Sequence, residues 1–136
     1  MITSKCARII KTESFLDYNV EYYVRENGDI PVLNFLLSLN SKQRAKAYRE
    51  IELLQKHGPN LREPYAKSMK GGNNKGLFEL RVKFSRDISR IFYFAYRNNT
   101  FILLNGFVKK TNKTPLNEIE KARKYKIDYE MRNENE

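Results

Sequence analysis

One arginine in the second half of the sequence stands in an apolar strand row, where a guanidinium needs a compensating anion. Arg90 is predicted on the same strand face as Phe92 and Phe94. Burying an unpaired guanidinium costs several kcal/mol. Two interpretations follow: an internal ion pair with Glu79 that holds the sheet, or a cleft in which Arg81 and Arg90 bind a phosphate. The sequence leaves both open, and the one-sided charge around Arg90 favours the phosphate site.

Cations and aromatic rings near this arginine suit contact with RNA. Lys109 and Lys110 directly follow the last predicted strand, and Tyr65 and Tyr93 are expected to expose ring edges that could stack on unpaired bases. Together with the phosphate site they predict a basic concavity. The residues predicted to bind RNA are Lys67, Lys70, Lys83, Lys110, Lys113 and Tyr65.

The positive charge of the chain is concentrated in its central stretch. The 136 residues include 26 Lys plus Arg against 16 Asp plus Glu, a net charge of +10. Between Leu61 and Thr114 there are twelve basic residues and three acidic ones, whereas the flanking regions are nearly balanced. Such a concentration predicts a basic site for a polyanion, because a uniformly basic surface would not produce this distribution.

Several kinds of chemistry are disfavoured by composition. With one Cys, one His and no local carboxylate cluster, we expect no metal site, no other cofactor and no nucleophilic triad. His57 is expected in the last turn of a helix, where a cation interacts favourably with the helix dipole. Cys6 cannot form an internal disulfide, and no segment resembles a signal peptide or a membrane span. A cytoplasmic location without membrane contact is therefore expected.

The sequence pattern predicts one α+β domain. Residues 20–25 read as a strand, which Asp29 and Pro31 follow as the start of a short helix. Ser41 is predicted to cap a second helix, and residues 60–76 read as a mobile loop. Strict alternation over 77–85 and apolar runs over 88–96 and 101–108 predict three antiparallel strands. A last helix is expected from Thr114 and Pro115. The predicted domain spans 19–130, between flexible segments 1–18 and 131–136.

Several motifs, in this order and spacing, resemble the HigB-type branch of the RelE toxin superfamily. They are the segments ELR at 79–81, RIFY at 90–93 and GFVKKTNKTP at 106–115, and the match extends from about residue 20 to 129. The resemblance implies a RelE-like fold, with a small antiparallel sheet, an N-terminal helical hairpin and a C-terminal helix. It also implies the toxin of a type II toxin–antitoxin system, a ribosome-dependent endoribonuclease that cleaves mRNA and stops growth.

The resemblance further implies a mechanism and a partner. Such toxins use the 2′-hydroxyl of the RNA and no metal, and a helix-turn-helix, HigA-like antitoxin holds them inactive in a hetero-oligomer. In this sequence Arg81 and Arg90 would bind the scissile phosphate. Glu79 or Tyr93 would take the 2′-hydroxyl proton, and Lys109 or Lys110 would lie near the leaving oxygen.

One position departs from the pattern of the family. Relatives often carry a histidine in the segment that corresponds to residues 104–106, whereas this chain has Asn105, which is predicted on the face of Leu103 and Phe107. An amide cannot exchange a proton near neutral pH, so the acid and base roles would fall to other groups. A non-catalytic RNA or ribosome binder, and a domain that binds only an acidic protein, remain as alternatives.

Overall fold

A computed structural model of the chain describes residues 18–97, 99–110 and 113–134. These residues form five strands, three α-helices and two short 3₁₀ turns, an α+β arrangement. The strands are β1 (Asn19–Tyr22), β2 (Ala66–Ser68), β3 (Phe78–Phe84), β4 (Asp87–Tyr96) and β5 (Thr100–Lys109), and the helices are α1 (Pro31–Ser38), α2 (Ser41–His57) and α3 (Leu116–Asn133). Residues 1–17, including Cys6, lie outside the described residues. Residues 131–133, expected in a flexible tail, belong to α3.

The strands form one mixed sheet in the order β1-β5-β4-β3-β2. The pairs β2–β3, β3–β4 and β4–β5 are antiparallel, as expected of strands joined by short connections. The expectation of a wholly antiparallel sheet was wrong at β1, which pairs with β5 in parallel. The order of elements along the chain could not reveal this direction, because two helices and three strands separate the partners.

Strand β2 lies within the segment that the sequence analysis read as a mobile loop. Its three residues pair with β3, with Ala66 opposite Leu80 and Lys67 opposite Glu79. Ala66 is buried and anchors the segment, while Lys67 is exposed. The prediction of a loop at Lys67 was therefore wrong, because three residues are too few to show alternation.

The helices cover both faces of the sheet. Helices α1 and α2 pack on one face, in a core that includes Leu80, Ile91 and Leu103. Helix α3 packs on the other face, in a core that includes Phe92 and Phe94. We call these the α2 face and the α3 face. Because side chains alternate along a strand, Glu79, Arg81 and Arg90 fall on the α3 face.

A bulge in the hairpin of β4 and β5 changes which residues share a face. Phe92 lies opposite Asn105, but the next residue, Tyr93, lies opposite Leu103. One extra residue on β5 therefore interrupts the alternation, so that Leu103 packs on the α2 face and Phe107 on the α3 face. The prediction that Asn105 shares a face with Leu103 was wrong for this reason, whereas the predicted pairing with Phe107 holds.

The helix starts differ from the predictions by one residue. Asn40 caps α2: its side-chain oxygen accepts a hydrogen bond from the backbone N–H of Gln43 at 2.8 Å, and Ser41 is the first helical residue. Ile30 and Pro115 occupy the cap positions of α1 and α3, without side-chain hydrogen bonds. His57 lies in the last turn of α2, as predicted. Within the described ranges, no helix is long and apolar enough to cross a membrane.

Candidate nucleic-acid interface

An ion pair between neighbouring strands lies at the centre of the basic region. Nε of Arg90 on β4 is 2.7 Å from Oε1 of Glu79 on β3, and both side chains are about nine-tenths buried. The hydroxyl of Thr114 donates to the other carboxylate oxygen of Glu79 at 3.4 Å. Burial lowers the pKa of Arg90, Glu79 raises it, and Arg81 on the adjacent strand lowers it again. The ion pair, one of the two interpretations of Arg90 that the sequence left open, is therefore formed.

The Glu79–Arg90 ion pair leaves buried N–H donors without a partner on Arg90 and on the neighbouring Arg81. Nη1 of Arg90 and Nε of Arg81 are buried without a hydrogen-bond partner in the described part of the chain. Arg81 lies directly opposite Arg90 in the sheet register. Leaving such donors unsatisfied is costly. A bound anion would satisfy them.

A cavity of about 290 Å³ opens beside these donors, lined by Glu63, Pro64, Ala66, Lys67, Glu79, Arg81 and Arg90. It lies between the edge strand β2 and the Glu79–Arg90 pair. Three of its lining residues are cations and two are carboxylates, one of which, Glu79, is already paired with Arg90. The cavity therefore suits a small anion such as a phosphodiester.

Lys109 extends the cluster on the side of β5. It lies opposite Ile88 and so projects from the same face as Arg90. Burial lowers the pKa of Lys109, Arg90 lowers it further, Glu79 opposes these effects, and Lys67 and Arg81 add smaller decreases. Lys67, Arg81, Arg90 and Lys109 thus surround the single carboxylate of Glu79. We call these five residues the basic cluster.

The structure does not bring Tyr93 to the basic cluster. Tyr93 lies on the α2 face, is 3% exposed and stacks on Phe78, with ring centroids 5.4 Å apart. Burial raises its pKa. The expectation of an exposed ring edge was therefore wrong for Tyr93. Tyr93 directly follows Phe92 on β4, so strand alternation places it on the face opposite to Phe92 and Arg90.

The other predicted RNA-binding residues lie around the basic cluster. Tyr65 is 44% exposed, and its carbonyl accepts a hydrogen bond from the N–H of Arg81 at 2.7 Å. Lys83 is exposed on β3 and lies on the same face of the strand as Arg81. Lys70 is exposed just beyond β2, and Lys110 and Lys113 are exposed on either side of residues 111 and 112, which lie outside the described ranges.

Asn105 has a structural contact that the sequence did not suggest. Its amide nitrogen donates to the carbonyl oxygen of Glu118 at 3.1 Å and to the carboxylate of Glu118 at 3.2 Å. It therefore fastens the first turn of α3 to β5. Sequence reasoning also missed Thr114 and Glu63 as neighbours of Glu79 and the cavity. No local pattern marks either residue, because sheet pairing and helix docking bring them there.

Among the residues that the structure describes, no group of three or more His, Cys, Asp or Glu side chains is placed to hold a metal ion. The basic cluster itself contains one carboxylate and four cations. Its chemistry is therefore that of anion binding.

A family model matches the sequence over residues 34–126, more than half of the chain. The family is described as phage-derived protein Gp49-like (DUF891). The matched range includes every residue of the basic cluster and most of α3. No curated protein shows significant similarity to the chain.

Proposed function

The chain belongs to the Gp49-like family of phage-derived proteins, a family associated with RelE- and HigB-type toxins, and from this membership we propose that it is the toxin of a type II toxin–antitoxin system. Its activity is cleavage of messenger RNA at the basic cluster, on the translating ribosome, in the cytoplasm. A HigA-like helix-turn-helix antitoxin binds the toxin in a hetero-oligomer and blocks this activity.

The observation that carries the proposal is the incompletely paired Arg90. A purely structural bridge would satisfy the buried guanidinium, yet Nη1 has no partner among the described residues and Nε of the adjacent Arg81 has none either. Both arginines line the cavity. A scissile phosphate in the cavity receives these donors, and its charge is greatest in the pentavalent transition state, where the donors contribute most.

The proposed reaction is an internal transfer within the RNA. The 2′-oxygen attacks the adjacent phosphorus, the bond from phosphorus to the 5′-oxygen breaks, and the products are a 2′,3′-cyclic phosphate and a 5′-hydroxyl. Glu79 accepts the proton of the 2′-hydroxyl. Lys109 donates a proton to the leaving 5′-oxygen, and its lowered pKa makes the ammonium group a stronger acid than an ordinary lysine. The reaction consumes no water until the cyclic phosphate is hydrolysed, and the proposed mechanism uses no metal.

A non-catalytic RNA or ribosome binder is the second candidate. Asn105 favours it, because the amide cannot exchange a proton and is engaged with Glu118. In that case the basic cluster would bind RNA phosphates without cleaving the chain. The two candidates share the binding site and differ in the fate of the RNA.

The test of the proposal is expression of the chain without a partner, followed by sequencing of RNA ends. We expect growth to stop and new 3′ ends to carry cyclic or terminal phosphate. Arg90→Ala should abolish the growth effect and lower the cleavage rate about 100-fold or more, the usual cost of losing a transition-state donor. Arg81→Ala is the second variant, because Arg81 has no ion pair within the described ranges and its loss leaves no buried carboxylate unpaired.

The matched control is Arg49→Ala, which removes the same charge from an exposed position on α2. It should remain as toxic as the native chain. Cooperative thermal unfolding of each variant checks the fold. New ends with 3′-hydroxyls would contradict the mechanism, whereas RNA binding without cleavage would establish the second candidate.

A further inference from the structure

A groove leads from the basic cluster across the edge of the sheet to the α2 face. Lys67 borders both the cavity at Arg90 and a groove along β2. Leu61 and Phe78 border both this groove and a second cavity, which is of about 240 Å³. The three depressions therefore share walls. They form a continuous path around the free edge of β2.

The second cavity is apolar and aromatic. Phe78, Tyr93 and Phe101 line it, with the rings of Tyr93 and Phe78 stacked and those of Tyr93 and Phe101 edge to face. It is smaller than the roughly 300–1,000 Å³ of sites that hold drug-sized ligands. A single ring system is therefore the fitting occupant.

One polar group that borders this cavity, the hydroxyl of Tyr93, makes no hydrogen bond within the part of the chain that the structure describes. Tyr93 is 3% exposed as a whole, and its hydroxyl is not fully enclosed by protein atoms. Because burial raises its pKa, the hydroxyl stays protonated near neutral pH and can donate a hydrogen bond. A ligand with an acceptor on its edge would provide the partner.

The charge along the path indicates the kind of ligand. Arg62, Lys67 and Lys70 line the groove together with the acidic Glu63, while the described residues that line the second cavity carry no charge. A polyanion with flat, apolar rings matches both parts. Single-stranded RNA has this composition, with phosphates on its backbone and unstacked bases that bind aromatic pockets.

We propose that the aromatic cavity is a base subsite for the RNA strand whose phosphate lies at Arg81 and Arg90. The strand follows the groove past Lys67 around β2, and the base of a nearby nucleotide enters the cavity, faces Phe78 and accepts a hydrogen bond from the hydroxyl of Tyr93. This proposal rests on the proposed function, which identifies the bound strand as RNA. It does not require cleavage.

The experiment measures binding to an RNA that cannot be cleaved. The probes are fluorescently labelled 2′-O-methyl pentaadenylate and a series in which each nucleotide in turn is abasic. We expect one abasic position to weaken binding about 10-fold, the usual effect of losing one stacked base, and the others to matter less.

Two variants connect this effect to the cavity. Ala95→Leu fills the cavity from an exposed position on its wall, and Ala95→Ser is the matched control of similar size. Tyr93→Phe removes only the hydroxyl, and Tyr125→Phe makes the same change on α3. We expect Ala95→Leu to bind the intact probe about 10-fold more weakly, and Tyr93→Phe about 5-fold more weakly, as suits one hydrogen bond. Both should bind the critical abasic probe like the native chain.

The outcomes separate the subsite from the proposed function. Equal binding of intact and abasic probes, with weaker binding by Arg81→Ala, would overturn the subsite and leave the basic cluster as the RNA site. Native affinity in Ala95→Leu would also overturn the subsite, because a filled cavity would then make no difference to the RNA. No binding to any probe would overturn the subsite, whereas the proposed function is tested separately by growth arrest and by the RNA ends formed on the translating ribosome.

Discussion

At the scale of single residues, the basic cluster combines a buried ion pair with an excess of positive charge. Glu79 compensates Arg90, but three further cations lie close to the same carboxylate. A buried pair of this kind rarely adds much to stability over an apolar pair, because desolvation cancels most of the attraction. The arrangement is therefore better explained by what it binds than by what it stabilises.

The clearest residue-scale prediction concerns Lys109. Burial and the nearby cations disfavour its charged form in the folded protein, so its pKa lies below the ordinary 10.5. Below the lowered pKa, the charged Lys109 reduces the free energy of unfolding by its full amount. As the pH rises from that pKa towards 10.5, the lysine in the folded protein loses its proton and the free energy of unfolding increases. Arg81→Ala should raise the pKa of Lys109, and Glu79→Gln should lower it further, because the first removes a cation and the second an anion.

Side-chain NMR titration of selectively labelled lysine measures this pKa in each variant. Arg49→Ala, at an exposed position of helix α2, is the control and should leave the pKa of Lys109 unchanged. An unchanged pKa in both Arg81→Ala and Glu79→Gln would mean that Lys109 does not share the electrostatic environment of the cluster. Its proposed role at the leaving oxygen would then lose its basis.

At the scale of elements, small backbone features decide which side chains reach the site. The bulge between β4 and β5 turns Asn105 towards α3, where it holds Glu118 in the first turn of the helix. Thr114, just before that helix, reaches Glu79. Gly106 follows the bulge, and a side chain there would meet the ring of Phe35 on α1. The close approach of helix and strand therefore requires glycine.

The start of α2 gives an element-scale prediction with a built-in control. Asn40→Ala should lower the free energy of unfolding by about 1 kcal/mol, because the N–H of Gln43 loses its acceptor. Ser41→Ala, at the first helical position, should change it by much less. Urea unfolding followed by circular dichroism measures both. A larger loss in Ser41→Ala than in Asn40→Ala would show that the cap is Ser41, as the sequence pattern first suggested.

At the scale of the whole molecule, the two faces of the mixed sheet differ in what they carry. The α2 face carries the larger part of the core, and the α3 face carries the basic cluster beside the start of α3. The edge strand β2 connects the two, since Lys67 points to one face and Ala66 to the other. An RNA strand can therefore contact both faces by crossing one short edge.

This arrangement predicts a steep dependence of RNA affinity on salt. Each phosphate contact should lower the logarithm of the single-strand binding constant by about 0.7 for a tenfold rise in salt. Lys67→Ala and Arg81→Ala should each reduce the slope by about that amount, and Arg49→Ala should not. Titrations of the 2′-O-methyl oligonucleotide at several salt concentrations give the slopes. A flat response in the native chain would exclude the basic cluster as the RNA-binding surface.

The sequence by itself determined the features that depend on neighbouring residues. Alternation predicted β3, continuous apolar runs predicted β4 and β5, and three- and four-residue spacing predicted α2. The pairing of Arg90 with Glu79 was among the predictions because an arginine in an apolar row needs an anion nearby. The concentration of positive charge was also visible. The capping box at residues 40–43 was present in the sequence, but Ser41 was an equally good cap by residue type.

Only the tertiary structure decided which of these features meet. The parallel pairing of β1, the short strand β2, the opposite faces of Leu103 and Asn105, and the place of α3 depend on contacts between residues far apart in the chain. Strand side chains have a period of two, so one extra residue at a bulge moves every later side chain to the other face. Asn105, expected on the face of Leu103, lies on the opposite face for this reason. Tyr93 lies across the sheet from Arg90 by ordinary alternation along β4. The aromatic cavity arises from the same geometry, because its walls come from segments that no local pattern connects.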